Sequence, residues 1–145
     1  MQLDIKEQSL ILEGKKYSRK ELMSLSANAT GDNTSSFLLD LYRFLADWFS
    51  DSPFMTVHTS GSTGTPKVLT VRKEQMMQSA RMTCEFLNLH TGDTALLCMP
   101  LQYIAGKMMV VRALVAGLNL ILRTPSGHPL ADVTVPLRFV AMVPL

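Results

Sequence analysis

The sequence predicts an α/β fold in which helices are layered on a largely parallel sheet. Apolar runs of strand length alternate with stretches of helical periodicity from about residue 54 to the end. Two helical stretches, one ahead of that region near 37–48 and one within it near 73–89, carry a clear apolar face. With 145 residues, 47% hydrophobic and 18% charged, the chain has the size and composition of one globular domain with a real core.

Leu3 to Ile5 and Leu10 to Leu12 read as a small hairpin, and Gly14-Lys15-Lys16 as a turn. Ser18 with Glu21 forms a capping-box pattern, which starts a short helix through Leu25. Asn28 to Ser36 is polar and reads as a loop. Phe37, Leu38, Leu41, Leu45 and Trp48 then recur at helical spacing, and Pro53 closes that helix. Phe54 to His58 and Val68 to Val71 read as strands. From Lys73 to Leu89, residues such as Met76, Ala80, Cys84 and Leu87 share one helical face. Ala95 to Met99 is a buried strand, Ile104 to Gly117 an apolar helix, and Leu118 to Leu122 the next strand. Pro125 to Val135 reads as irregular, with room for one short helix, and Phe139 to Val143 as a last buried strand.

Composition narrows the function classes. A net charge of +2 without any long Lys/Arg run argues against nucleic acid. Lys15-Lys16 and Arg72-Lys73 read as solvated faces. No apolar stretch approaches a membrane span, and no signal-peptide layout opens the chain. Cys84 and Cys98 lack metal spacing and read as buried free thiols of a cytoplasmic protein. No His/Cys or Ser-His-Asp pattern argues for a metal site or for hydrolysis. The ten methionines fall mostly at core-like positions.

The chemistry is concentrated in His58-Thr59-Ser60-Gly61-Ser62-Thr63-Gly64-Thr65-Pro66-Lys67, which holds five hydroxyl side chains, two glycines and a lysine between two apolar runs. Such a loop suits polyphosphate. Glycines let backbone amides approach an anion, hydroxyls add donors, and lysine adds a mobile charge. Gly61 and Gly64 are three apart, and Lys67 follows a proline and precedes a strand. Walker A and Rossmann loops both open a helix, so neither fits. A ligand-free hairpin loop of the same composition is the alternative at this level.

Thr59 to Lys67 resembles, without a gap, the signature loop of the adenylate-forming superfamily, which includes acyl- and aryl-CoA ligases, luciferases and peptide-synthetase adenylation domains. The resemblance implies the first part of that superfamily's N-terminal domain, with residues 1–145 as a partial AMP-binding domain. It implies ATP and Mg2+, coenzyme A as co-substrate, and a small carboxylic acid as substrate. Thr59, Ser60, Gly61, Ser62, Thr63, Gly64, Thr65 and Lys67 would hold the β- and γ-phosphates, and Lys67 would act in catalysis by offsetting charge on departing pyrophosphate. No metal ligand is assigned. The adenine- and magnesium-binding motif, the hinge and the C-terminal lid would lie beyond residue 145, so the segment alone is expected to be inactive.

Met99-Pro100-Leu101-Gln102-Tyr103-Ile104-Ala105-Gly106 looks like the superfamily's next landmark, with Gln102 and Tyr103 where Phe and His are common. Tyr103 is either a wall or gate of the acid pocket or a half-buried turn residue, and Gly106 belongs to the same motif. The run from Gly106 to Gly117, with Arg112 five residues before the glycine, is similar to o-succinylbenzoate–CoA ligases of menaquinone synthesis, as are Phe139 to Pro144. Arg112 and Lys107 could pair with a dicarboxylate or could equally be solvent-facing cations of a helix, and for Lys107 the second reading is favoured. His58 beside the loop either assists the phosphate site or makes a structural hydrogen bond, and the second reading is favoured. Other readings are a fatty- or other aryl-acid CoA ligase and a non-catalytic polyphosphate- or nucleotide-binding module. The apolar end at Leu145 reads as a cut within the domain, which would expose a sheet edge open to self-association.

Overall fold

A computed structural model describes residues 1–59, 64–65, 67–126, 130–131 and 133–141. Its centre is a five-stranded sheet of order β2-β1-β6-β5-β7, comprising β1 (Ser9–Leu12), β2 (Lys15–Ser18), β5 (Thr94–Leu97), β6 (Asn119–Leu122) and β7 (Phe139–Val140). Only the β1–β2 pair is antiparallel, while β1–β6, β6–β5 and β5–β7 run parallel. The layered, largely parallel α/β fold is therefore present. Strands buried on both faces lose the polar alternation of a half-exposed strand. In β5, Ala95 and Leu97 face the main core while Leu96 faces a smaller cluster with Cys98, Ile121 and Val140.

The hairpin lies one strand later than the spacing predicts. Leu3 to Ile5 leads into a 3-10 turn, Ile5–Glu7, because Asp4 accepts the Lys6 amide and caps it. The tight turn is Glu13-Gly14, with φ of 48° and 84°. Two consecutive positive φ values match the right-handed twist of a two-residue hairpin, which favours glycine there. Glu13 is held in place by accepting from the Leu122 amide and from Arg123. Lys15 and Lys16 are exposed, as read from sequence, but they lie within β2.

The Ser18–Glu21 capping box forms reciprocally and opens α1 (Arg19–Asn28). This helix outruns its expected end at Leu25, since the Ser26 hydroxyl bonds the Leu22 and Tyr42 carbonyls and ties it to α2. Helix α2 (Ser36–Trp48) buries Leu41, Phe44, Leu45 and Trp48. It stops before Pro53, where Ser50 bonds back to the Asp47 carbonyl. Helix α3 (Lys73–Phe86) ends short of Leu89 because Asn88 takes a φ of 54° and sends the Leu89 amide back to the Cys84 carbonyl. Helix α4 (Ile104–Ala116), buried on most sides, packs against α3 and ends on left-handed Gly117. Among the described residues of 125–135 there is no helix. The end of the last expected strand, Met142 and Val143, lies outside the described residues.

Trp48 is fully buried, and its indole N–H donates to Gln8 at 2.8 Å, while Gln8 itself bonds the Gln2 carbonyl and Met77 sulfur. Gln8→Leu leaves that indole donor buried without an acceptor, an expected loss of about 1–3 kcal/mol. Denaturant unfolding followed by Trp48 fluorescence checks this; unchanged stability would contradict it.

Candidate functional site

Strands β3 (Phe54–His58) and β4 (Val68–Arg72) form their own antiparallel two-stranded sheet, in register from Phe54↔Arg72 to His58↔Val68. Met55 and Val57 face the core, which anchors the hairpin. The chain from Thr59 to Lys67 connects the two strands at their His58/Val68 end. At the mouth, the Thr59 amide donates to the Lys67 carbonyl at 3.0 Å, and the Lys67 amide donates to the Thr59 hydroxyl at 3.3 Å. These bonds close the loop as a unit. Gly64 adopts a φ of +89° that a side chain would strain, and Gly64, Thr65 and Lys67 are exposed. Ser60, Gly61, Ser62, Thr63 and Pro66 lie outside the described residues.

A backbone bridge runs in parallel sense from His58 to Tyr103. It sets the half-buried Tyr103 beside the mouth of the loop. Tyr103 follows the carboxyl end of β5, the edge where parallel α/β sheets place ligands, and it immediately precedes α4. Helix α4 is seated there by contact. A Cβ on Gly106 would lie 2.3 Å from the Pro100 oxygen and 3.0 Å from its carbonyl carbon. Gly106 therefore serves as the point where helix and turn backbones meet. His58 joins the two segments through its backbone.

Arg112 is placed elsewhere. It stands nine residues beyond Tyr103, about 13 Å along α4 at 1.5 Å per residue. Its guanidinium lies over the Phe139 ring at 5.7 Å, and Phe139 pairs with Ala95 early in β5. It also donates to the Met109 sulfur, while its Nε is buried without a partner among the described residues. Burial disfavours its charge, an effect partly countered by nearby Cys84. Thr59, Lys67, Tyr103 and Gly106 are thus gathered at one edge of the sheet, and Arg112 is not with them.

Two lysines depart from the sequence reading. Lys73 is buried rather than solvated, donating to the Ser50 carbonyl at 3.0 Å and hydroxyl at 3.3 Å. Burial lowers its pKa, with Asp47 and Asp51 pulling the other way. Lys107 is half-buried rather than solvent-facing, bonded to the Leu101 carbonyl at 2.7 Å. Neither contact is signalled by local pattern, because each partner is a backbone carbonyl in a turn. Cys84 and Cys98 are buried free thiols as expected, and burial raises both pKa values.

A cleft of about 770 Å3, lined by Arg19, Phe49, Ser50, Arg72, Lys73 and Met77 among others, sits at the far end of the β3–β4 ladder from the loop. Among the described residues, no three His, Cys, Asp or Glu side chains gather as a metal site. No Mg2+ ligand is assigned to them. No helix among them is long and apolar enough to cross a membrane.

An α/β sheet with a hydroxyl- and glycine-rich hairpin loop at the carboxyl edge of its strands defines a candidate anion-binding domain. Residues 3–144 match the model of the AMP-binding enzyme family, and the chain belongs to that family. It is similar to the solved structure of an acyl-CoA synthetase (AMP-forming)/AMP-acid ligase II-like protein from Dyadobacter fermentans DSM 18053. Identity there is 36% and the TM-score 0.71, over 83% of this chain and 35% of that one. The O-succinylbenzoate Coenzyme A Synthetase (MenE) from Bacillus subtilis, solved with ATP and magnesium ion, shares the fold at 16% identity and a TM-score of 0.52. That match spans 86% of this chain and 43% of that one. The chain therefore spans about a third of the first structure's length and under half of the second's. Comparison with curated sequences gives no significant match.

Gly106→Ala forces a methyl group into the Pro100 backbone, with an expected cost of about 1–3 kcal/mol. Chemical denaturation of the variant checks this, and stability equal to that of the unsubstituted chain would contradict the contact.

Proposed function

We propose that this chain is the phosphate-gripping part of an ATP-dependent acid–thiol ligase, a partial AMP-binding domain of a longer enzyme. The observation that carries the reading is the closed mouth Thr59–Lys67 bridged through His58 to Tyr103. Having Thr59 and Lys67 near Tyr103 supports the reading of a polyphosphate loop next to an acid pocket. Thr59, Ser60, Ser62, Thr63 and Thr65, with amides around Gly61 and Gly64, hold the β- and γ-phosphates. Lys67, exposed at the mouth, offsets charge on the leaving pyrophosphate.

The substrate carboxylate attacks the α-phosphorus, forming an acyl-adenylate as the bond to the bridging oxygen breaks and pyrophosphate leaves. The thiol of coenzyme A then attacks the acyl carbonyl and AMP leaves. Positioning and charge stabilisation suffice for the protein's part, so no protein nucleophile is invoked. Mg2+ supplies charge neutralisation on the phosphates when bound. The acid we favour is o-succinylbenzoate, giving its CoA thioester for menaquinone synthesis. The register of Gly106 to Gly117 and the run from Phe139 support that choice. The buried unpaired thiols support a cytoplasmic setting.

In an enzyme that carries this segment, Thr63→Ala combined with Lys67→Ala is expected to lower o-succinylbenzoate-dependent ATP–pyrophosphate exchange about 100-fold or more. Near-normal exchange would overturn the reading. Residues 1–145 alone are expected to give no acyl-adenylate trapped by hydroxylamine. Met82 and Phe86 project from α3 with 67% and 88% of their surface exposed, which favours weak self-association. Light scattering should show mass rising with concentration, and less so for Phe86→Asp; a constant monomer mass would contradict this.

A further inference from the structure

We infer that Lys107 is a positioning residue for the acid-binding side of the site, gripping the Leu101–Tyr103 turn so that Tyr103 stays bridged to His58, next to Thr59. The functional half of this inference rests on the reading of Tyr103 as part of the acid pocket; the positioning half does not. Lys107 holds the turn through its side chain: the ammonium donates to the Leu101 carbonyl at 2.7 Å. Its backbone amide makes the ordinary first-turn helix bond to the Tyr103 carbonyl at 3.2 Å, which any residue there would make. The first bond is charge-assisted and short, which makes it stronger than a neutral one. Leu101 is buried, so its carbonyl needs a partner.

Among the described residues the ammonium forms no ion pair within 4.0 Å; Asp40 and Asp47 of α2 act on it only through space. Its charge lies 5.8 Å from the centre of the Phe44 ring, which fixes the direction from which it reaches the turn. Gly106, one residue earlier, lets the helix come close enough for the reach. A charge-bearing side chain half-removed from water thus has as its hydrogen-bond acceptor the turn that carries Tyr103. The bridge from Tyr103 to His58 then passes that position on to Thr59 at the mouth.

The chain has three tyrosines, Tyr17, Tyr42 and Tyr103, so incorporation of 3-fluorotyrosine gives three 19F resonances, assigned by Tyr→Phe changes. Lys107→Met keeps an unbranched apolar side chain over Phe44 and removes the donor. The expected result is that the Tyr103 resonance moves by several linewidths or splits, while Tyr17 and Tyr42 move by less than one. Lys107→Arg should return it to its original position. An unmoved Tyr103 resonance, an equal change at all three tyrosines, or outright unfolding of Lys107→Met as seen by Trp48 emission would each overturn the inference. The spectra are taken without nucleotide or acid, so this failure is distinct from failure of the ligase reading, which the pyrophosphate-exchange assay reads.

Discussion

The arrangement of the candidate site depends on the seat of α4 against the Pro100–Leu101 backbone. At Gly106 the helix approaches the Pro100 carbonyl more closely than any side chain would allow, with 2.3 Å left for a Cβ. Interiors are packed densely enough that such a contact is not absorbed by small local give. The position of α4 therefore sets the turn, the turn sets Tyr103, and Tyr103 bridges to His58 at the end of the loop-bearing hairpin. This bridge joins the β3–β4 hairpin to the turn before α4. It adds to the burial of Met55 and Val57 in holding a two-stranded hairpin that would be marginal alone.

Much of this architecture was legible in the sequence for definite reasons. The Ser18–Glu21 pair announced a helix start because its two hydrogen bonds are local and reciprocal. Helix α2 was visible through Leu41, Leu45 and Trp48, whose spacing matches one buried face. The first hairpin was placed a strand too early because Leu3 to Ile5 looks extended by composition, while the positive φ of Glu13 is not a property of glutamate. The end of α1 was missed because the Ser26 bond to the Tyr42 carbonyl is a tertiary contact. No local pattern carries it.

The candidate site divides along the same line. The loop was readable as a phosphate grip because its donor density is written in consecutive residues. Its proximity to Tyr103 depends on strand placement, which only the fold supplies. Lys73 and Lys107 looked like solvated cations, since a lysine bound to a backbone carbonyl leaves no sequence mark at its partner. Arg112 shows the converse. Its place in a family-like segment suggested the pocket, but the direction of α4 carries it toward the other end of the strands.

Under the proposed function, the Thr59–Lys67 mouth and Tyr103 respond to nucleotide as one unit. Titrating the 15N-labelled chain with MgATP while following backbone amide resonances tests it most directly. The account predicts shifts at His58, Thr59, Lys67 and Tyr103, with the Glu13-Gly14 turn silent. Shifts centred instead on the cleft around Arg19 and Lys73, or no response at the mouth at saturating MgATP, would contradict it.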